Sequence, residues 1–151
     1  MSSLTTDIAD AITTAINVAA GTLSQEITAE RKWRAKEDLK DLAATVVSVI
    51  PGPISIEPMT RGENDDRRSV DVAVQKKVNP DSNTDVDPLI LLVEEIADLF
   101  LRGQFATSAG VKFTVTSAKT IPSNAAAVDD SKLDGWRVFT AVLRLECFVQ
   151  R

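Results

Sequence analysis

The strongest constraint on the fold lies near the carboxyl end. From Arg137 onward, Phe139, Ala141, Leu143, Leu145, Cys147 and Val149 occupy one parity. A period of two is the period of a strand, so this stretch predicts a long strand with one face on the core. It ends almost at the last residue, and a terminus so apolar has to be tied into the sheet.

A sheet needs partners for that strand, and the sequence offers several. Arg68 to Val78 places Val70, Val72, Val74 and Val78 on one parity against Ser69, Asp71, Ala73, Gln75 and Lys77, which predicts a half-buried strand with one wet face. Ala43 to Ile50 is β-branched and apolar at both parities, the pattern of a more deeply buried strand. Pro51-Gly52-Pro53 punctuates it, and Ile54 to Ile56 extends it after the bend. Leu23 to Trp33 alternates through Ile27 and Ala29, and Val111, Phe113 and Val115 alternate with Lys112, Thr114 and Thr116.

Two segments carry the other period. Ile8, Ile12 and Ile16, with Ala9, Ala15 and Ala19, predict a helix from Asp7 to Ala20, with Thr6 or Asp7 as its cap and Gly21 just past its end. After the turn residues Asn79 to Asn83, Asp87-Pro88 reads as a cap and first position. The apolar stripe of Leu89, Leu92, Val93, Ile96, Leu99 and Phe100 follows, closed by Arg102 and Gly103. Arg34 to Asp41 reads as a connection or a short helical turn, and polar, exposed loops are expected near 57–67 and 117–135. Strands come in consecutive groups and do not alternate regularly with helices. The expected architecture is therefore α+β, a single domain over residues 1–151, with a mostly antiparallel twisted sheet of about five strands and two main helices packed on one face.

Composition narrows the chemistry. The chain has no histidine and no tyrosine, which removes the commonest general base and transition-metal ligand and the phenol used as an acid. No Gly-x-Ser-x-Gly elbow and no glycine-rich phosphate cradle occur. Glu94 with Glu95, or Asp129 with Asp130, are acid and base candidates only formally, because adjacent carboxylates on a helix diverge. Asp81-Ser82-Asn83-Thr84-Asp85-Val86-Asp87 begins like a calcium loop, but Val86 stands where the sharp turn needs glycine and Leu92 where the bidentate glutamate belongs. A turn entering a helix fits it better. Cys147, the single cysteine, reads as a small buried hydrophobe. Neither enzymatic activity nor a cofactor or metal site is expected. No apolar run is long enough to span a bilayer, and residues 1–12 lack the pattern of a secretory signal, so synthesis and assembly in the cytoplasm are expected.

The net charge of −5 argues against a surface coated for nucleic-acid binding. Local basic clusters remain at Arg31-Lys32-Trp33-Arg34-Ala35-Lys36 and at Arg61 with Arg67-Arg68. Surface solubilisation explains them, as does contact with DNA or an acidic partner. Trp33, Arg34, Arg61, Arg67 and Arg68 are the interface candidates.

The segment Ser24-Gln25-Glu26-Ile27-Thr28-Ala29-Glu30-Arg31-Lys32-Trp33, then Asp38-Leu39-Lys40-Asp41-Leu42 and the strand to Ile50, resembles the tail-terminator proteins of long-tailed bacteriophages. The later Arg68 to Lys77 strand, the helix with Leu92-Val93-Glu94-Glu95-Ile96 and the closing Arg137 to Gln150 strand occur in a similar order there. The resemblance implies a virion subunit, assembled in the host cytoplasm, that forms a ring, typically six-fold. Such a ring ends tail-tube growth, joins the tube to the head connector or stopper, and touches passing DNA passively in its lumen. Other neck, connector or minor tail rings have similar shapes. Two readings from other classes stand beside it: a carboxylate-only metal-dependent hydrolase using Asp81, Asp85 and Asp87, and a small cytoplasmic adaptor.

Overall fold

Ser3 starts the first helix: its Oγ accepts the Thr6 amide at 3.1 Å and shares a hydrogen bond with the Thr6 hydroxyl at 2.7 Å. In this computed structural model, which describes residues 3–25, 27–32, 45–60, 63–77, 83–101, 103–121 and 138–150, helix α1 accordingly runs Leu4–Ala19, beginning earlier than its apolar stripe alone indicates. It buries Thr5, Ile8, Ala9, Ile12 and Ile16, and a short 3-10 turn, Ala20–Thr22, takes the place of a simple stop at Gly21. Helix α2 spans Asn83–Phe100 and also begins before its expected cap. Pro88 therefore lies inside it, where the missing N–H removes one backbone bond near the amino end. The expected stripe is otherwise correct: Leu89, Leu92, Val93, Ile96 and Phe100 are buried and Leu99 is packed against them.

The described residues form a sheet of six strands, one more than expected: β1 (Ala29–Arg31), β2 (Val46–Thr60), β3 (Glu63–Lys77), β4 (Gln104–Ala106), β5 (Lys112–Ile121) and β6 (Val138–Gln150), in the order β1-β2-β3-β6-β5-β4. The β1–β2 pairing is parallel and the other pairings are antiparallel, so the sheet is mixed. The α+β reading holds. One row of the ladder runs Ala29, Val47, Val74, Ala141 and the next Val49, Val72, Leu143, which places the valines of β3 and the apolar parity of β6 on a common face. Both helices contribute to the single cluster on that face. Helix α1 touches β1, β2 and β3 and also β4 at the far edge, so the sheet curls around it.

Two of the three register shifts among the described strands explain where the sequence pattern breaks. Between Pro51 and Ile54 the β2–β3 register slips, and again between Val115 and Ser117 in β5–β6. Each slip exchanges the parity on the helix side of the sheet: in β5 from Phe113 and Val115 to Ala118, and in β2 from the buried Val47 and Val49 to Ile54 and Ile56, which stand opposite Arg68 and Asp66 but stay exposed. Residues 117–121, expected in a loop, are thus the second half of β5, and the rest of 117–135 lies outside the described residues. At the first bulge a Cβ on Gly52 would lie 2.8 Å from the Ser69 carbonyl oxygen, so only glycine permits this backbone approach.

The described residues of the segment 57–67 are likewise not a loop. They continue β2 and β3 as a paired hairpin, Ser55 opposite Arg67 and Glu57 opposite Asp65. The strand expected over Leu23 to Trp33 shortens to Ala29–Arg31, because residues 23–25 bend back onto α2. Its open edge is closed by Asn17, whose Oδ1 accepts the Ala29 amide at 2.7 Å while Nδ2 donates to the Ala29 carbonyl at 3.1 Å. Strand β4 carries too few residues to show a period. It is set by the turn at Gly110, whose φ of 86° suits glycine, and by Thr107, which exchanges backbone bonds with Val111 and Gly110.

Cys147 sits in the core row opposite Arg68 and Val115, fully buried, and burial pushes its thiol up to about 12. A disulfide-exchange reagent at pH 8 should therefore leave the folded protein unlabelled and label one thiol per chain in denaturant. Fast labelling under native conditions would show that the β5–β6 end of the core opens readily.

Candidate interface at the hairpin arm

Strand β6 stops pairing with β3 at Phe148, opposite Arg67, but β3 and β2 continue together beyond that point. Residues 54–60 and 63–66 are therefore a two-stranded arm outside the body of the sheet. An isolated pair of strands is marginal in water, so the arm depends on what holds its base. Ile54 and Ile56, 54% and 50% exposed, lie on it.

The base is polar and buried. Asp66 and Arg68 share the parity of Val70, Val72 and Val74, so both turn toward the helices. Arg68 donates from Nε to Asp66 Oδ1 at 2.9 Å and from Nη2 to Oδ2 at 3.3 Å, and from Nη1 to the Thr5 hydroxyl of α1 at 2.9 Å. The Arg68 and Asp66 side chains are 8% and 4% exposed. A planar guanidinium matches a carboxylate edge to edge and still has a third direction to offer, which Thr5 fills.

The opposite face carries a second pair. Arg144 and Asp71 stand directly across from each other and meet through Nε–Oδ1 at 2.9 Å and Nη2–Oδ2 at 3.2 Å. Donation to the Asp71 carboxylate holds the pKa of the Arg144 guanidinium above its ordinary value against the opposing effect of burial, with the negative charges of Asp71 and Glu146 adding to it. Arg67 is exposed on this face, its guanidinium carbon 5.9 Å from the centre of the Phe148 ring. The face of β3 expected to be wet is dry in its middle, where Ala73 and Gln75 are buried beside Ser48 of the more deeply buried β2, and Ser48 Oγ and Gln75 Oε1 have no hydrogen-bond partner among the described residues.

The interface candidates from the sequence separate accordingly. Arg67 is at the surface beside the arm, Arg68 is buried beneath it, and Trp33, Arg34 and Arg61 lie outside the described residues. Adjacent arginines on a strand must face opposite sides, which is why one is at the surface and the other is not. In the other basic cluster, Arg31 pairs with Asp10 at 2.5 Å and Lys32 lies 3.9 Å from Glu30. Thr5 and Asp66 carried no signal in the sequence; an Asp two residues before an Arg on a strand is the only trace of the pair.

The carboxylates weighed for chemistry are dispersed. Glu95 accepts the Ser24 amide at 3.1 and 3.2 Å and also the Ser24 hydroxyl, anchoring the bend before β1. Gln25 adds a bond to the Pro88 carbonyl at 3.1 Å. Glu94 is exposed, and Asp129, Asp130, Asp81 and Ser82 lie outside the described residues. Asn83 to Asp87 is already helical, and among the described residues no three acidic or sulfur side chains converge as a metal site. No helix among the described residues is long and apolar enough to cross a membrane, which does not bear on a β-barrel.

No protein-family model matches the sequence, and no curated protein matches it. Solved structures similar in fold over nearly the whole chain include the following two. One, which carries only a sequence identifier for a name, superposes with a TM-score of 0.56 at 14% identity, covering 97% of this chain and 95% of its own. The other is a chain from the virion of a native gene transfer agent (GTA) particle, with a TM-score of 0.56 at 12% identity and 95% of both chains covered. At such identities what is shared is the fold.

Proposed function

We propose that this chain is a structural virion protein that works by closing into a ring, six-fold in the simplest case. The ring stands at the head-proximal end of a phage tail, ends growth of the tail tube and joins it to the head connector or stopper protein. The subunit acts without catalysis, cofactor or metal, and DNA passing through the lumen is touched only passively. The observation that carries this reading is the fold similarity, end to end, to a chain of a GTA virion. The arm adds physical support: Ile54 and Ile56 lie exposed on a hairpin that projects past the sheet, where a neighbouring subunit is the natural cover. Head-to-tail contacts that close have self-limiting size and present two different faces, as joining a tube to a connector requires.

The same similarity also fits another neck, connector or minor tail ring, and one experiment separates the readings. Light scattering and negative-stain images of the purified protein, alone and with polymerised tail tubes, are expected to reveal a discrete ring that caps one end of the tube. A ring that ignores tubes but binds the head connector favours the other neck position. A strictly monomeric protein at tens of micromolar that binds neither would overturn both.

A further inference from the structure

We propose that Thr5, Asp66 and Arg68 form a lock that sets the direction of the hairpin arm relative to α1. The observations are geometric. The arm begins where β3 loses its β6 partner, at Arg67, and the lock straddles that point, with Asp66 on the arm side and Arg68 on the body side. On the β2 side the same level holds the register slip between Pro51 and Ile54, where one strand bends relative to the other. Without a further tie, a two-stranded extension with a bulge at its root swings about that bulge. Arg68 supplies the tie, since its guanidinium holds the arm's Asp66 on one edge and the first turn of α1, through Thr5, on the other. All three residues are buried, so water does not compete for these bonds. Directional hydrogen bonds specify an angle, whereas apolar contact fills space without specifying one.

How the lock is used rests on the ring reading: an arm held at one angle reaches a neighbouring copy without first being ordered. The lock itself does not depend on that reading. Hydrogen–deuterium exchange on the full chain tests it, comparing the arm amides, Ile54 to Ile56 and Asp65 to Arg67, with the core amides Val70 to Val74. Two variants are used: Asp66→Leu with Arg68→Met, which keeps the volume apolar, and Thr5→Val, which removes only the acceptor on α1. In each, the arm amides are expected to exchange at least about tenfold faster while the core amides stay within about threefold of the parent. If the paired variant fails to fold, Thr5→Val alone decides. Arm exchange unchanged in Thr5→Val, or accelerated equally in arm and core, overturns the lock. The oligomer mass of the unsubstituted protein is read in parallel, so a monomeric parent with a selectively loosened arm sinks the ring and leaves the lock standing.

Discussion

Asp66→Ala is expected to lower the free energy of unfolding by about 3–5 kcal/mol, because it leaves the Arg68 guanidinium buried without its counter-charge. The arginine cannot relieve this by losing a proton, and at 7% exposure it lies away from water. Urea denaturation followed by tryptophan fluorescence measures the loss. Asp71→Ala is the matched control: it breaks a fork of similar length, but its Arg144 partner is 37% exposed and can be hydrated in place, so the loss is expected to be smaller. If Asp66→Ala costs less than about 1 kcal/mol, Arg68 reaches solvent and the base of the arm is not dry.

Phe100→Ala should cost a similar amount, about 3–5 kcal/mol, for an apolar reason. Phe100 ends α2 with no exposed surface and begins a run of three rings, with centres 5.3 Å apart to Phe105 of β4 and a further 5.8 Å to Phe113 of β5. Truncation removes a large buried side chain and leaves a cavity between helix and sheet that the surrounding strands cannot collapse into. Phe105 is only half-buried, so Phe105→Ala should cost clearly less in the same urea titration. Equal losses would mean that the cluster behaves as one unit through β4. A loss below about 1.5 kcal/mol for Phe100→Ala would contradict its placement in the core.

Periodicity was a reliable guide wherever a segment lies over the core. The parity of Ala141 to Val149, the valines of β3 and the stripe of α2 are buried as their spacing requires, because each of these elements presents one face to a single apolar cluster. It was misleading where that condition fails. The polar residues of 57–67 carry no apolar alternation and read as a loop, yet the described ones pair as two strands through their backbones, which leaves no period in the sequence. In β5 the alternation survives, but the bulge at Val115 to Ser117 changes its phase, and a phase change in a short pattern looks like an ending. The parallel placement of β1 beside β2 also left no mark, since which strands become neighbours depends on contacts between distant segments.

The interface candidates divide along the same line. The sequence by itself determined that this chain builds an α+β domain around one apolar face, and that it lacks histidine and tyrosine, because periodicity and composition are properties of the chain before it folds. It also determined that Arg67 and Arg68 point to opposite sides if they lie on a strand. Only the tertiary structure decided which side is inside: α1 lies under Arg68 and supplies Thr5, so one arginine holds the arm and its neighbour remains at the surface. Burial of a charge depends on what another part of the chain brings to it, and no local pattern encodes that.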